Sequence, residues 1–145
     1  MDGYTITTDL NKMDLVFVHS FLKEKSYWAK GIDFETVKES MNHSLCFGIF
    51  VEDTEEQVGF ARVVTDYATF GYMADVFVVE AYRGRGLSKW LISEIMDHPD
   101  LQRLRRLMLV TKDAQGLYEQ FGFEIYDNDD NGLMSIRRKA EDLYR

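Results

Sequence analysis

A short turn rich in arginine and glycine, Arg83-Gly84-Arg85-Gly86, carries the chemistry in this chain that is easiest to interpret. Glycine lets the backbone approach a ligand closely and adopt left-handed angles. The first N–H groups of a helix lack intrahelical partners, and the helix dipole is positive at that end. Arginine adds charge and paired donors that fit phosphate oxygens. The turn therefore predicts a binding site for a phosphate-bearing ligand.

An apolar strand and an amphipathic helix flank this turn and would hold it in place. Residues 76–79 read Val-Phe-Val-Val before the turn. After it, one helical face carries Leu87, Trp90, Leu91 and Ile95, and the helix ends before Pro99. A strand, a turn and a helix in this order favour a ligand cradle over a solvated loop.

The rest of the chain predicts the order βααβββαβαββ. Strands are expected at residues 4–7, 46–51, 58–65, 72–79, 104–110, 123–126 and 133–138. Asn11 and Asp33 are expected to cap the first two helices, with Val16 on the inward face of the first, and a last helix is expected at 113–121. This order predicts a single α/β (α+β) domain over residues 1–145, with helices on both faces of a mixed sheet.

A second segment, Gly-Leu-Tyr-Glu-Gln-Phe-Gly-Phe at residues 116–123, strengthens the interpretation of the turn. The two segments together resemble the central motifs of the GNAT superfamily, the acyl-CoA-dependent N-acetyltransferases. The family's turn has Arg or Gln, two residues, Gly, one residue, then Gly or Ala. Here Arg83 and Gly86 match, and Ser88 replaces the last small residue. The resemblance implies a mostly antiparallel sheet of six to seven strands with about four helices.

The resemblance implies acetyl-CoA as the co-substrate and assigns the residues that hold it. The pyrophosphate would bind the backbone of Arg83, Gly84, Arg85, Gly86, Leu87 and Ser88. The pantetheine arm would pair, like a further strand, with the backbone of Phe77, Val78 and Val79. Asp113 occupies the place where many relatives carry an asparagine that contacts this arm.

The resemblance also places the catalytic groups. Tyr118 corresponds to the tyrosine that often protonates the departing thiolate, and a free tyrosine with a pKa near 10 stays protonated at neutral pH. A backbone N–H near Val78 would hold the oxyanion. Asp75 is the first candidate for the general base, directly or through water, followed by Glu80 and Asp66.

Two segments are expected to wall the acceptor site. The loop after the first helix carries Tyr27 and Trp28, and a later turn carries Asp66 and Tyr67. Aromatic rings can cover an amine and carboxylates can attract an ammonium group. A small polyfunctional amine or a peptide N-terminus would fit such a site.

Composition excludes several other classes. With 145 residues, 46% hydrophobic, the chain suits one domain, and a net charge of −8 argues against nucleic-acid and anionic-membrane partners. No apolar run approaches the length of about 20 residues that spans a bilayer. The lone Cys46 favours a buried thiol in a reducing compartment, so a cytoplasmic location is expected.

No metal site is expected. His19, His43 and His98 are scattered without ligand partners at a useful spacing. The run from Asp127 to Gly132 resembles the start of a calcium loop, but Arg138 stands where the bidentate glutamate belongs. A β-hairpin turn is the expected structure there.

These observations predict an N-acetyltransferase that transfers the acetyl group of acetyl-CoA to a primary amine by direct attack in a ternary complex. Two alternatives stay open: a regulatory module that binds acyl-CoA without turnover, and an acyltransferase that modifies proteins or uses another acyl group. A homodimer also stays open, because dimers are common among relatives.

Overall fold

One sheet of five strands organises the computed structural model, which describes residues 1–126 and 133–144. The strands follow one another in chain order across the sheet: β1 (Tyr4–Thr7), β2 (Leu45–Val51), β3 (Gln57–Thr65), β4 (Phe70–Val78) and β5 (Arg106–Leu109). The first four are antiparallel neighbours, and β5 is parallel to β4. The predicted mixed, mostly antiparallel sheet is confirmed, but within the described residues it has five strands rather than six or seven.

The described part of the chain has five α-helices, where about four were predicted: α1 (Leu15–Glu24), α2 (Phe34–Asn42), α3 (Leu87–Met96), α4 (Gln115–Glu119) and α5 (Ala140–Leu143). Asp33 caps α2 as predicted, since its carboxylate accepts from the Thr36 N–H. The cap predicted at Asn11 is wrong, because Asp14 accepts from the Phe17 N–H and starts α1 three residues later. This start turns Val16 outward, with 66% of its surface exposed.

Two apolar clusters lie on the sheet. The cluster that includes residues of α1 and α2 contains Val18, Leu22, Val37 and Met41 together with Phe60 and Phe77 of the sheet. The second cluster contains Leu87, Leu91, Ile92 and Ile95 of α3 with Tyr118 of α4. The helices therefore form two layers around the sheet, as the alternation of elements predicted.

The middle of β4 carries a β-bulge. Phe60 of β3 faces Phe77, whereas Arg62 faces Ala74, so β4 has one more residue than β3 between these two pairs. Asp75 lies in this stretch with a left-handed φ of 54°. Such an insertion bends a strand and increases its twist. β4 pairs with β5 only from Phe70 to Met73, so its far edge is open beyond the bulge.

The two predicted closing strands are wrong. Neither residues 123–126 nor residues 133–138 form a strand, and the turn predicted between them lies outside the described residues. Leu133, Met134 and Ile136 remain exposed. Alternating apolar residues satisfy only one requirement of a strand; the other is a neighbouring strand to accept and donate hydrogen bonds.

Candidate active site

The open half of β4 presents its backbone to the space between β4 and β5. The Val79 N–H donates to the Val58 carbonyl at 3.0 Å, so Val79 uses its N–H on the β3 side. Backbone groups alternate in direction along a strand, which turns those of Val78 toward the open side. Arg83 Nε donates to the Val78 carbonyl from there, at 2.9 Å. The Val78 N–H therefore also faces the open side of the strand.

The Arg/Gly turn follows a short 3-10 helix (Glu80–Tyr82) and offers a row of free donors. Gly84 and Gly86 have left-handed φ angles of 78° and 80°, and Gly86 is the N-cap of α3. Among the described residues, the backbone N–H groups of residues 84–89 have no protein acceptor. A Cβ at Gly84 would meet no atom within 4 Å, so the space over the turn is open. This geometry suits a phosphate group.

Both arginines of the turn are tied to the protein. Arg83 is bonded to the end of β4, as described above. Arg85 donates to the Tyr4 hydroxyl at 3.0 Å and its guanidinium lies 5.1 Å from the centre of the Tyr82 ring. These contacts fix the shape of the turn, while the backbone supplies the free donors.

Tyr118 projects from α4 and is 8% exposed. Its ring packs edge-on against Phe123, with centroids 5.8 Å apart. Burial raises the pKa of Tyr118 to about 12, and the nearby Tyr27 and Asp113 act in the same direction. Its hydroxyl makes no hydrogen bond within the described part of the chain, so its O–H is free to donate to a ligand. Asp113 itself is exposed, next to the Ala114 N-cap.

Asp75 does not stand free in the site. Its Oδ2 accepts from Arg62 Nε at 2.6 Å and its Oδ1 accepts from Trp28 Nε1 at 2.8 Å. Arg62 Nη1 also donates to Ser44 Oγ at 3.3 Å. The Asp75 and Arg62 side chains are only 9% and 18% exposed. We call these four residues the carboxylate network.

The loop between α1 and α2 carries Tyr27 and Trp28 across the opening between β4 and β5. Trp28 reaches the bulge through Asp75, and its ring lies edge-on to Tyr27 at 5.0 Å. The Tyr27 hydroxyl accepts from the Lys112 N–H at 3.1 Å, on the segment after β5. Ser26 is buried and anchors the loop by donating to the Leu22 carbonyl. The loop thereby forms a partly exposed aromatic wall.

The second predicted wall, at Asp66 and Tyr67, is separate from this network. The Asp66 carboxylate accepts from the N–H groups of Ala68, Thr69 and Phe70 and from the Thr69 hydroxyl. These bonds lower the pKa of Asp66, the Thr69 hydroxyl contributing most. Asp66 thus stabilises the turn between β3 and β4, and Tyr67 lies exposed in it with a φ of 62°.

Sequence reasoning missed Arg62 and Lys112. Arg62 lies in an apolar strand, as does Asp75 in the next one, and buried charges are rare unless they are paired. Opposite charges in adjacent predicted strands could therefore have revealed the ion pair. Lys112 left no such pattern, because its contacts with Tyr27 join residues far apart in the chain.

Cys46 is buried beside the carboxylate network. Its Sγ lies 3.5 Å from the Met41 carbonyl, to which it donates. Burial raises the pKa of this thiol to about 12; Arg62 acts to lower it and Asp75 to raise it. The group is therefore a protonated thiol at neutral pH, consistent with the structural role predicted for it.

Two further features are absent from the described residues. Within residues 1–126 and 133–144, no group of three or more His, Cys, Asp or Glu side chains is placed to hold a metal ion. In the same residues, no helix has the length and apolar character needed to cross a bilayer.

Comparisons with known proteins agree with this geometry. The model of the acetyltransferase (GNAT) family matches residues 9–123. A GNAT-family protein from Xanthomonas campestris pv. campestris has a crystal structure with a TM-score of 0.92; it is 44% identical, with 99% of this chain and 98% of that chain covered. A candidate acetyltransferase of Gibberella zeae is 26% identical over 133 residues, 79% of this chain and 75% of that protein. A Deinococcus radiodurans structure shares the fold at 18% identity and a TM-score of 0.72, covering 94% and 90%.

Proposed function

Because the chain belongs to the acetyltransferase (GNAT) family, we propose that it transfers the acetyl group of acetyl-CoA to the primary amine of a small molecule or peptide. One observation carries this proposal. The open edge of β4 leads, through a single 3-10 turn at Glu80–Tyr82, into a turn whose N–H groups at residues 84–89 find no acceptor in the described chain. An extended arm that ends in a pyrophosphate matches both parts.

The residues present fit acetyl-CoA, which the family uses as co-substrate. The N–H groups of residues 84–88 would receive the pyrophosphate, because the N–H of Arg83, which was also predicted, already donates to the Glu80 carbonyl. Of the predicted strand residues Phe77, Val78 and Val79, Val78 faces the open side and would receive the pantetheine arm, because the Val79 N–H donates to β3. Ser88 is small and lies in the first turn of α3, so its hydroxyl adds a further donor. Asp113 lies beside α4 as a contact for the arm, in the role of the asparagine of relatives.

The reaction requires one bond to form and one to break. The amine nitrogen bonds to the thioester carbonyl carbon, the carbon–sulfur bond breaks, and the proton that the amine loses balances the proton that the thiolate gains. The Val78 N–H is the donor aimed at the developing oxyanion. Acetyl-CoA supplies the activated acyl group when it is bound.

Tyr118 serves this reaction as a neutral O–H donor. With a pKa of about 12 it is a weaker acid than a thiol of pKa near 8.5. Complete transfer of its proton to the thiolate would cost about 5 kcal/mol at that difference. A strong hydrogen bond from the hydroxyl avoids most of this cost while it stabilises the leaving sulfur.

The identity of the general base stays a prediction. Asp75 was the first candidate, yet both of its carboxylate oxygens already accept hydrogen bonds. We therefore assign Asp75 first to positioning, because it holds Trp28 in the aromatic wall. Glu80 is exposed at the end of β4 and stays the next candidate, with water as carrier.

The acceptor amine is proposed to bind beside the aromatic wall, near the bulge of β4. Tyr27 and Trp28 present partly exposed rings there. Asp66 and Tyr67 remain candidates for a more distant part of a longer acceptor. An acidic protein, with a net charge of −8, favours a cationic partner.

Transfer is proposed to be direct, without an acyl-enzyme. The lone cysteine, Cys46, is 2% exposed, and its raised pKa keeps it protonated. The proposal includes a single domain over residues 1–145, because all five strands belong to one sheet. It also includes a cytoplasmic location, because Cys46 is a free thiol.

Release of free thiol from acetyl-CoA is the test. Polyamines, amino acids, aminoglycosides, arylamines and short peptides are offered with and without enzyme, and binding of acetyl-CoA is measured by calorimetry. Thiol release with one class establishes transfer and names the acceptor. Tight binding with no release from any amine would replace the transferase with a binding module or a protein-directed enzyme.

A further inference from the structure

Part of the sheet face that carries α1 and α2 is covered by neither helix. The helices pack on Phe60 and Phe77, at one end of β3 and β4. At the other end, Val63 is buried on the α3 side, so the next residue, Val64, points to the opposite face. Val64 and Phe70 are each 39% exposed, and neither belongs to the two apolar clusters. Exposed apolar groups that lie together on one face mark an interaction surface.

The register of β4 and β5 adds a cation to this face. A Cβ at Gly71 would lie 2.9 Å from the Leu107 side chain, which packs in the α3 cluster. Because side chains alternate along a strand, Phe70, Tyr72 and Arg106 point to the opposite face. Phe70 is the register partner of Arg106, so these two residues are neighbours. We call Val64, Phe70, Tyr72 and Arg106 the uncovered face.

The uncovered face joins the two predicted walls. Trp28 lies at one end, where its Nε1 donates to Asp75 at the bulge. Tyr67 lies at the other end, in the turn before Phe70, and is 52% exposed. Asp75 and Phe70 are five positions apart on β4, which corresponds to roughly 16 Å of strand. An extended peptide covers about 3.5 Å per residue, so about four residues cover most of this distance.

The free charge on the uncovered face is positive, although the chain as a whole carries a net charge of −8. Arg106 is exposed and forms no ion pair with any carboxylate in the described part of the chain. At the bulge, Asp75 is paired with Arg62 at 2.6 Å. The Asp66 carboxylate accepts the N–H groups of its own turn. A ligand with a negative group therefore complements the end of the face at Arg106.

We propose that the acceptor is a peptide with a free amino terminus, which lies extended across the uncovered face and places a carboxylate against Arg106. This inference rests on the proposed acetyl transfer and specifies its acceptor. The amine lies near Trp28 and the bulge, and the carboxylate follows about four residues later. The arginine fork binds a carboxylate through paired, charge-assisted hydrogen bonds. Val64 and Tyr72 contact the apolar side chains of the peptide.

Four tetrapeptides that differ only at the last residue test this assignment. They end in glutamate amide, in glutamine amide, in glutamine with a free carboxylate, or in lysine amide. Thiol release from acetyl-CoA should show a kcat/KM about 10-fold higher for a peptide with a carboxylate than for the glutamine amide. The difference should lie in KM, because Arg106 is distant from the reacting atoms. The preferred carboxylate peptide shows whether a side chain or a C-terminus binds.

Substitutions of Arg106 separate this contact from a general preference for acidic peptides. Arg106→Gln should remove the preference, and Arg106→Glu should reverse it toward the peptide that ends in lysine amide. Arg103→Gln, at an exposed position before β5, is the matched control and should keep the preference. Circular dichroism checks the fold of each variant. Equal kcat/KM for the glutamate and glutamine peptides, or a preference that Arg106→Gln leaves intact, would overturn the proposal.

Failure of this inference and failure of acetyl transfer give different results. Thiol release with small amines but with no peptide would overturn the peptide acceptor and leave acetyl transfer in place. If no amine releases thiol, the N-acetylated peptides, which are the expected products, are titrated by calorimetry without acetyl-CoA. Tighter binding of the glutamate peptide, lost in Arg106→Gln, would support the uncovered face as a peptide site although transfer fails. Equal binding of the acetylated peptides would overturn the peptide site as well.

Discussion

The Arg/Gly turn and the aromatic wall border the same open half of β4, but they are built in different ways. The turn is local: its donors are backbone N–H groups from six consecutive residues, 84–89. The wall is assembled from distant segments, with Trp28, Asp75 and Arg62 joined by two hydrogen bonds. A ligand shared by a whole family can be bound by a local backbone site such as the turn. Recognition of a particular amine substrate depends on side chains assembled from distant segments, as in the wall.

The largest effect is expected from a substitution in the Arg/Gly turn. Gly86→Glu places a side chain at a φ of 80° and a negative charge where the pyrophosphate is proposed to bind. Affinity for acetyl-CoA, measured by calorimetry, should fall by roughly 1000-fold or more. The aromatic wall should be unchanged, as followed by Trp28 fluorescence in a Trp90→Phe background, because the Trp90 N–H donates to the Gly86 carbonyl.

Two controls separate charge from strain. Gly86→Ala introduces the strain of a left-handed φ without the charge, so it should bind acetyl-CoA more tightly than Gly86→Glu does. Gly116→Glu adds the same charge in α4, where a Cβ meets nothing within 4 Å, and should retain normal affinity. Normal affinity in Gly86→Glu would move the anion site away from the turn.

The next effect tests Tyr118, which lies near Tyr27 of the aromatic wall. Tyr118→Phe removes only the hydroxyl, so kcat should fall about 100-fold while acetyl-CoA affinity is kept. The rate of thiol release and the calorimetric titration measure the two quantities. An unchanged kcat would remove Tyr118 from the mechanism.

A smaller effect is expected from a substitution that disrupts the aromatic wall and leaves the Arg/Gly turn intact. Asp75→Ala leaves the Arg62 guanidinium without its partner, and the free energy of unfolding should fall by about 3 kcal/mol. Urea denaturation measures this loss. Glu39→Ala, which removes the exposed pair with His43, should cost almost nothing.

Asp75→Asn then distinguishes positioning from base catalysis. If Asp75 positions Trp28, KM for the amine should rise while the pH profile of kcat keeps its shape. Loss of kcat together with loss of the acidic limb of that profile would instead make Asp75 the base.

The smallest effect concerns the interior beneath the wall. The pKa of Cys46 is raised from 9.0 to about 12, so above pH 9 the unfolded chain releases a proton that the folded chain keeps. Stability is therefore complete below pH 9 and falls as the pH rises, approaching about 1.4 kcal/mol per pH unit. Urea denaturation at pH 8, 9 and 10 should show this slope, and Cys46→Ala should flatten it. A slope unaffected by the substitution would assign the titration to another group.

The same division explains what the sequence could predict. The strand, the Arg/Gly turn and α3 occupy consecutive residues, so spacing and residue type were enough to place the anion site. The link between Asp75 and Trp28 spans 47 positions, and that between Lys112 and Tyr27 spans 85. No local pattern encodes such contacts, which depend on how the loop folds over the sheet.

The predicted closing strands show a different limit. Leu133, Met134 and Ile136 have the composition of a strand, but pairing depends on which edge is available. A prediction from one chain assumes that the partner strand belongs to that chain.

The bulge at Asp75 has a consequence for how this chain could evolve. Beyond it, β4 presents its backbone to the proposed donor, while its side chains remain available for the proposed acceptor. Replacing Ala74 or Val76 changes the side chains but leaves every N–H and C=O of the strand in place. The backbone would bind the acyl donor, and the side chains would select the amine that accepts the acyl group. Substitutions can therefore change which amine binds without weakening the binding of the acyl donor.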